Sequence, residues 1–454
     1  MAVTIERLVQ LLDAARGGDE WIAVESRLRR IARATGARPL RADGEIVALS
    51  AVIFRDSERG RGSSRLWLDG EEGDEGRAQR LIARGVERAG LTLGPAWTLP
   101  APAAPAQVTV ADADIEGDPV GAAEKAMAQV AAARGRLAAI GSARVEVQVH
   151  SHRAETSRGF ASQYRSTAAL YDLAVAAAAG AAGRTPLERV SGCVRSAVQL
   201  SLHRRIADAA RAAARRRRAR PLQPGRYDLL LRPAAIVGPR AGLDRKAGAA
   251  GYGWFAPLVA HADSEWVRLG ISHHRPGQPV FAPGERGRAE GGAERGGDPF
   301  TLASDGTIDF GLLSAPFGEL GEPVRRFDIV RGGVAAGLAL DYREAALGHA
   351  APNGGVRNLV LGAGRTPVAG LAVPGHRPLL DVGQLAWIDA DPRSGAVTAG
   401  IAAATARGAP VAGGLVVGDA FDLLGRARLS AETGTLAWYR GPIAIRIDGV
   451  DVTA

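Results

Sequence analysis

The chain of 454 residues has 46% hydrophobic and 23% charged residues and a mean hydropathy of −0.03, values typical of globular proteins with two or more domains. Its N-terminal stretch carries acidic residues and an amphipathic period, and no apolar run approaches the roughly 20 residues that span a bilayer. A single cysteine, Cys193, excludes an internal disulfide and a cysteine-based metal cage within the chain. We therefore expect a soluble protein of the reducing cytoplasm, with no membrane partner.

The net charge of +9 would admit an acidic partner such as nucleic acid. Much of it comes from one arginine-rich run, Arg211, Arg215 to Arg218 and Arg220, which follows an alanine-rich helical stretch. Cations are favourable at a helix C-terminus, and no aromatic residues are interleaved with the run as they are in single-strand-binding surfaces. We interpret the run as a solvated helix end, so a nucleic-acid partner is not expected.

Periodicity predicts the elements of the first half. Helical spacing of apolar residues predicts helices over 5–15, 21–34, 75–89 and 118–137, the last with Asp118 as N-cap and Pro119 in the first turn. Strands are predicted over 46–54, 64–68, 143–150 and 168–177, the first two forming a hairpin. Thr185, Pro186 and Glu188 form a capping box that predicts a long helix with an apolar stripe from Leu187 to Ile206. Cys193 borders this stripe, so we expect a buried, unreactive thiol.

These elements indicate an α+β protein whose N-terminal α/β domain, residues 1–222, lays helices on an antiparallel sheet and contains a proline-rich connector near 99–106. Proline and glycine at 221–225 mark the predicted domain boundary. Residues 223–454 are predicted to form a β-rich, barrel-like domain because short apolar runs broken by glycine dominate there. The predicted strands are 227–231, 279–281, 327–330, 334–340, 359–361, 384–389, 415–417 and 443–447.

The stretch from Phe300 to Gly364 resembles the C-terminal half of the TldD/TldE (PmbA) family. Members of that family have a sequence motif like fDxEGxP, followed by leucine and glycine residues at fixed spacing and then by a second motif, nLxLxpG. The matching segments here are 317–323 (FGELGEP), 330–334 (VRGGV), 340–342 (LDY), Ala345 and 358–364 (NLVLGAG). Gly318 replaces the acidic residue of the first motif. The resemblance, which weakens toward the N-terminus, implies the same two-domain architecture.

In the TldD branch of that family, a helical His-Glu-x-x-x-His after a Pro-Gly-x-Tyr strand supplies two zinc ligands and a general base. The corresponding strand here is 224–231, and the segment after it, 234–251, contains no His, Glu or Cys. Asp244 is its one potential ligand. The chain thus resembles the TldE/PmbA branch, which accompanies TldD without the metal motif. No catalytic, cofactor-binding or metal residue is predicted in this chain.

Other candidate sites are weaker. His261, Asp263, Glu265, His273 and His274 fall within fourteen residues and would ligate a metal if folded into a hairpin. The alternation of the first three predicts a solvated face of an extended segment, and residues 273–277 are predicted to form a turn. His150 and His152 are interpreted as surface imidazoles. Ser314 lacks the second glycine of a nucleophile elbow. Glu319 and Glu322, a conceivable carboxylate pair, lie in a phrase that both branches share, which suggests a structural role.

The resemblance therefore implies a non-catalytic TldE/PmbA-like subunit of a heterodimeric zinc metallopeptidase that acts in peptide proteolysis or precursor-peptide maturation. Its expected partners are a TldD-like catalytic subunit and a peptide substrate. Zinc is expected in the partner, and no cofactor in this chain. Two alternatives remain open: a self-sufficient metal-dependent hydrolase using His261, His273 and His274, and a peptide- or nucleic-acid-binding module without catalysis.

Overall fold

The structure is a computed structural model and describes residues 3–36, 38–69, 75–134, 138–177, 187–239, 248–281 and 297–453. Its helices are α1 (Ile5–Asp13), α2 (Glu75–Leu91), α3 (Ala113–Gly117), α4 (Pro119–Ala133), α5 (Ala197–Leu200), α6 (Leu202–Arg216), α7 (Pro233–Val237), α8 (Ala256–His261), α9 (Ser264–Arg268), α10 (Tyr342–Leu347), α11 (Val368–Leu371) and α12 (Ala420–Gly425), with a 3₁₀ segment at Gly248–Phe255.

The strands are β1 (Glu20–Thr35), β2 (Leu40–Ser57), β3 (Gly60–Asp69), β4 (Ala138–Thr156), β5 (Ala161–Ala177), β6 (Leu187–Val194), β7 (Arg220–Pro221), β8 (Gly225–Leu231), β9 (Leu302–Asp305), β10 (Phe327–Arg331), β11 (Val334–Ala335), β12 (Asn358–Leu361), β13 (Leu379–Ala390), β14 (Ala396–Ala406), β15 (Ala409–Ala412), β16 (Leu415–Asp419), β17 (Arg428–Leu429), β18 (Thr433–Leu436), β19 (Tyr439–Pro442) and β20 (Ile445–Thr453). No helix in the described ranges is both long and apolar enough to cross a bilayer.

The first six strands form one antiparallel sheet in the order β3-β2-β1-β4-β5-β6. The helix predicted over 21–34 is wrong, because this segment is β1 at the centre of the sheet. Trp21 and Ala23 point to one face and Ile22 and Val24 to the other, and all four are buried. Burial on both faces, with a neighbouring strand along each edge, outweighs the weak helical period of the segment.

The helices α1, α2, α4 and α6 cover one face of this sheet. Helix α4 begins as predicted, since Asp118 accepts a hydrogen bond from Gly121 N (2.8 Å) and Pro119 occupies the first turn. The predicted helices over 5–15 and 75–89 and the predicted hairpin are also confirmed. The N-terminal hydrophobic core therefore lies between the sheet and these helices. The opposite face of the sheet is partly covered by residues of the C-terminal half.

The long helix predicted from residue 187 is wrong. Thr185 and Pro186 of its capping box lie outside the described residues, and residues 187–194 form the edge strand β6. Ser196 begins the short helix α5 with a capping box of its own, and Ser201 adopts φ 35° before α6 starts. Val198, predicted in the buried stripe, is 86% exposed. Leu202 and Ile206 keep their predicted burial, so only the last part of the stripe forms one helix face.

The C-terminal half contains a closed five-stranded barrel in the order β13-β8-β20-β16-β14, with β13 pairing to β14 to complete the ring. A second sheet, β11-β10-β9-β12-β19-β18, packs beside it around a shared core. The predicted α+β class, with an N-terminal helix-covered sheet and a barrel-like C-terminal region, is therefore confirmed.

Some C-terminal predictions differ in extent. Residues 279–281 make a single bridge instead of a strand, and only Val334–Ala335 of the run to 340 is strand. A turn at Gly332 and Gly333, with φ 59° and 83°, immediately precedes β11 and separates it from β10. The division into domains 1–222 and 223–454 stays a prediction.

Candidate functional site

A cleft of about 580 Å³ lies where strand β6, helix α6 and the C-terminal half meet, and we call it the α6–β6 cleft. It is lined from the β6 side by Tyr171 and residues 188–195, from α6 by Arg205, Asp208, Ala209, Ala212 and Arg215, and from the C-terminal half by Ala234, 237–239, Leu312, Gln384, Leu436 and Ala437, among others. The predicted position of the family's metal motif, residues 234–251, therefore borders this cleft.

The β6 wall exists because β6 is the last strand of its sheet and has one edge without a strand neighbour. The C-terminal half reaches this edge through side chains: Gln384 Nε2 donates to Arg189 O (3.3 Å), and Ser191 Oγ donates to Pro239 O (3.2 Å). Cys193 lies on β6, not on a helix as predicted, although its burial is confirmed at 3% exposure.

The α6 wall has small residues between two arginines. Arg205 donates to Leu200 O (2.8 Å) and Gln199 O (3.0 Å), and its guanidinium lies 4.8 Å from the centre of the Tyr171 ring. Arg215 is exposed near the other end of the helix. Ala209 and Ala212 lie between them, and their short side chains leave the space that forms the cleft.

The buried charges of the cleft are held by the protein itself. Burial raises the pKa of Glu188, and the nearby Arg216, with Nη1 at 3.2 Å from Oε2, opposes that rise. Arg195 is buried and donates to Ser314 O (2.9 Å), Gly311 O (3.3 Å) and Thr167 O. This arginine therefore ties the N-terminal sheet to the loop before β10.

The segment at the motif position does not fit zinc. Residues 234–239 read Ala-Ala-Ile-Val-Gly-Pro, and α7 ends at Gly238, which adopts φ 81°. The described part of the segment before Pro239 is therefore one short helix. Residues 240–247 lie outside the described ranges, and their sequence contributes Asp244 alone as a potential ligand. Neither a pair of ligands nor a general base is available from this segment.

The histidines that offered an alternative metal site lie close together but are bonded to the protein. His273 N donates to His261 Nδ1 (3.1 Å), so the proton is on His261 Nε2, which lies 3.1 Å from Arg393 O. Both ring nitrogens of His261 are therefore engaged. Within the described ranges, no group of three or more His, Cys, Asp or Glu side chains has a geometry suited to a metal ion.

The predicted surroundings of these histidines need correction. The extended segment predicted over 261–265 is wrong, because α8 ends at His261 and Asp263 caps α9 by accepting from Glu265 N (2.8 Å). His261 and His274 are buried, whereas His273 is exposed. A good N-cap residue following a proline-initiated helix favours two short helices over a strand.

His152 also differs from its predicted surface position. It is buried beside the rings of Tyr164 and Phe317, at 5.5 and 5.6 Å between centres, and its Nε2 lies 3.1 Å from Glu319 O. Burial lowers its pKa. This imidazole belongs to the packing between the sheet and the FGELGEP loop.

The remaining candidates make hydrogen bonds and ion pairs within the chain. Glu319 pairs with Arg65 at 2.6 Å on the surface, whereas Glu322 is buried and its Oε2 accepts from Leu320 N (3.0 Å). Burial raises the pKa of Glu322. Ser314 Oγ donates to Ile308 O (2.6 Å) and accepts from Asn358 Nδ2 (2.9 Å). None of these three side chains lines the α6–β6 cleft.

The C-terminal part of the chain matches a known protein family. Residues 290–454 match the family model of the PmbA/TldA metallopeptidase C-terminal domain. A comparison with the sequences of curated proteins gives no significant match. This match agrees with the resemblance of the stretch from Phe300 to Gly364 to the TldD/TldE (PmbA) family, and it covers the C-terminal part of the chain.

Three solved structures share the fold over nearly the full chain. TldE from Thermococcus kodakarensis is 16% identical with a TM-score of 0.70, and the alignment covers 99% of both chains. A candidate modulator of DNA gyrase from Bacteroides thetaiotaomicron is 16% identical with a TM-score of 0.75 and 99% coverage of both chains. A candidate modulator of a DNA gyrase from Thermotoga maritima is 15% identical with a TM-score of 0.74, covering 99% of this chain and 100% of the other.

Sequence reasoning did not identify the arginines of the cleft. Arg205 and Arg215 share a helical stripe with Asp208 and Ala212, a spacing of three, four and three residues that is visible in the sequence. The stripe can be read from the sequence, but the sequence does not show which other part of the chain lies opposite it. The opposite surface comes from residues more than a hundred positions away, such as Leu312 and Leu436.

Proposed function

We propose that this chain is a non-catalytic, TldE/PmbA-like subunit of a heterodimeric TldD/TldE-type zinc metallopeptidase. The observation that carries the proposal is the aliphatic segment 234–239 at the cleft, where the resemblance predicts ligands and a base. Zinc hydrolysis needs about three protein ligands, an open coordination position and a base near the bound water. Residues 234–239 offer none of these, while the fold is similar to that of TldE from Thermococcus kodakarensis over 99% of both chains.

The proposed role of the chain is to enclose the substrate and to support the catalytic subunit. A TldD-like partner would bring the zinc, its ligands and the general base, and the complex would cleave peptides or mature a precursor peptide. The α6–β6 cleft is the part of this chain that we assign to substrate contact, because it is an open groove at the junction of the two halves. The cytoplasm is the proposed compartment.

The test compares the chain alone, a His-Glu-x-x-x-His partner alone, and the two together. Elemental analysis is expected to find no stoichiometric zinc in the isolated chain, which is also expected to cleave no peptide. The mixture is expected to cleave peptides and to lose that activity with a chelator. One zinc per isolated chain, together with peptide cleavage by that chain, would instead make the self-sufficient hydrolase the correct assignment.

The histidine alternative has its own control. His273 is exposed, so His273→Ala is expected to leave the activity of the complex unchanged. Because His261 and His274 are buried, a triple alanine variant would confound folding with metal loss. His274→Gln keeps a polar side chain of similar size and is the better second variant, and zinc lost in both variants would support the alternative.

A further inference from the structure

We propose that the α6–β6 cleft selects extended polypeptide segments that carry two acidic side chains four residues apart, with uncharged residues between them. This inference rests on the proposed function for the cleft's access to substrate and adds the charge pattern of that substrate. The charges and the shape of the cleft support it.

Most charges in the cleft are already paired. Arg189 binds Asp172 through two hydrogen bonds of 2.8 and 2.5 Å, Asp208 pairs with Arg211, and Glu188 lies beside Arg216. Arg205 donates to two backbone carbonyls, which leave its positive charge uncompensated. Among the described residues, neither Arg205 nor Arg215 forms an ion pair with a carboxylate. Arg195 also lines the cleft, but it is buried and its guanidinium donates to backbone carbonyls. Glu188 interacts electrostatically with both Arg216 and Arg215, so one carboxylate faces two cations there. The cleft therefore keeps an excess of positive charge, and helix α6 presents it through Arg205 and Arg215.

The two cations stand at a defined separation. They are ten positions apart on α6, which corresponds to about 15 Å along a helix that rises about 1.5 Å per residue. An extended chain advances roughly 3.3 Å per residue, so four residues span about 13 Å, and because side chains alternate, residues four apart lie on the same face. A carboxylate at each end of such a segment would meet one arginine, and bidentate arginine–carboxylate pairing would favour it over a neutral amide.

The wall between the cations suits uncharged side chains. Ala209 and Ala212 on α6 face Val237, Leu312 and Leu436 of the C-terminal half. A charged side chain placed there would lose hydration without a partner. Nucleic acid is disfavoured for the same reason, since its phosphates are evenly spaced and would bring charge into this apolar middle. The ring of Tyr171, an aromatic group at the cleft, is covered by Arg205.

The test measures binding of fluorescein-labelled peptides to the isolated full chain by fluorescence anisotropy at about 50 mM salt. The first peptide is Gly-Glu-Val-Ala-Val-Glu-Gly, and its matched controls replace both Glu by Gln or both by Lys. We expect the acidic peptide to bind at least about tenfold more tightly than the Gln peptide, and the Lys peptide to bind more weakly still. A further control places the two Glu side by side, and we expect it to lose most of the advantage.

Protein variants locate the effect. Arg215→Glu and Arg215→Gln are expected to weaken the acidic peptide about tenfold or more. Arg204→Glu makes the same charge change at an exposed position of the same helix that does not line the cleft, and it is expected to change affinity less than about twofold. Circular dichroism of each variant checks that α6 persists.

Three outcomes would overturn the proposal: equal binding of the Glu and Lys peptides, equal effects of Arg204→Glu and Arg215→Glu, or tighter binding of a single-stranded oligonucleotide that displaces the acidic peptide. These outcomes are separable from failure of the proposed function. The peptide assay needs neither zinc nor the partner, whereas the subunit assignment is decided by metal content and by activity of the mixture.

Discussion

The side chain of Arg61 is the most enclosed cation in the N-terminal sheet. Its guanidinium lies 4.7 Å from the centre of the Phe54 ring and 4.8 Å from that of Trp97, and it donates to Glu20 and to the carbonyl of Trp97. Glu20 in turn accepts a hydrogen bond from Leu99 N (2.9 Å). The ion pair of Arg61 and Glu20 therefore holds the start of the proline-rich connector, residues 99–106, against the sheet.

We predict that Arg61→Ala lowers the free energy of unfolding by about 2 to 4 kcal/mol, because it removes the contacts with the Phe54 and Trp97 rings and leaves the buried Glu20 with Arg158 as its remaining cation. Urea denaturation measures the change. Arg59→Ala, in the exposed turn of the same hairpin, is the matched control and is expected to change stability by less than about 0.5 kcal/mol. Equal effects of the two substitutions would show that the enclosure of Arg61 contributes nothing.

His274 makes stability depend on pH. Burial and the neighbouring His261 lower the pKa of His274 from 6.5 to about 4, so the folded state keeps this imidazole neutral. Unfolding then takes up a proton below pH 6.5, and the contribution to stability, complete above that pH, is lost as the pH falls toward 4.

Between pH 7 and pH 5 this group alone is expected to cost about 2 kcal/mol of stability. Denaturation curves of the His274→Gln variant should therefore fall less steeply with pH than those of the unaltered chain. His273→Gln, the exposed neighbour, should retain the full dependence. If both variants behave alike, the pH effect arises elsewhere.

At the scale of elements, Gly62 sets how closely the end of α2 approaches strand β3. A Cβ at this position would lie 1.8 Å from Ala89 O and 2.2 Å from Thr92 O, both of them backbone atoms that cannot turn aside. We predict that Gly62→Ala costs about 3 kcal/mol or more, since β3 and the segment after α2 must separate.

Gly44 provides the matched comparison because it lies in the neighbouring strand β2, and a Cβ added there would have no described atom within 4 Å. Gly44→Ala is expected to be neutral or slightly stabilising, as alanine restricts the unfolded chain. Thermal unfolding of both variants decides the matter, and similar melting temperatures for the two would contradict the packing argument.

Local signals explain which elements the sequence alone predicted. Helices with caps and clear stripes, such as α4 with Asp118 and Pro119, were identified because their signals lie within a few residues. The sequence predicts a helix at β1 because burial on both faces of this strand hides the alternation of apolar and polar residues. It predicts a helix at β6 because of the capping box at 185–188, whereas the structure has its capping box at Ser196, where α5 begins. The cleft could not be foreseen, since its walls come from segments far apart in the chain.

At the scale of the molecule, the proposed role as a subunit without the His-Glu-x-x-x-His motif requires a surface that binds the catalytic subunit. We predict an obligate-type interface with a TldD-like subunit that buries more than about 2,000 Å² in total. Sedimentation velocity of the mixture should show a heterodimer at micromolar concentration. A monomer both alone and with the partner present would contradict the prediction, and charge-reversed Arg204→Glu serves as a control for nonspecific association.

The order of strands in the barrel bears on how the chain folds as it leaves the ribosome. Strand β8 needs β20 as one neighbour, and β20 is synthesised about two hundred residues later, which at roughly 5 to 20 residues per second is a delay of tens of seconds or less. The six-stranded sheet, complete at Val194, has no such wait. Nascent chains stalled after β16 should therefore contain a protease-resistant N-terminal sheet, while the edge of β8 that pairs with β20 remains open. In this state a chaperone would protect that edge from aggregation.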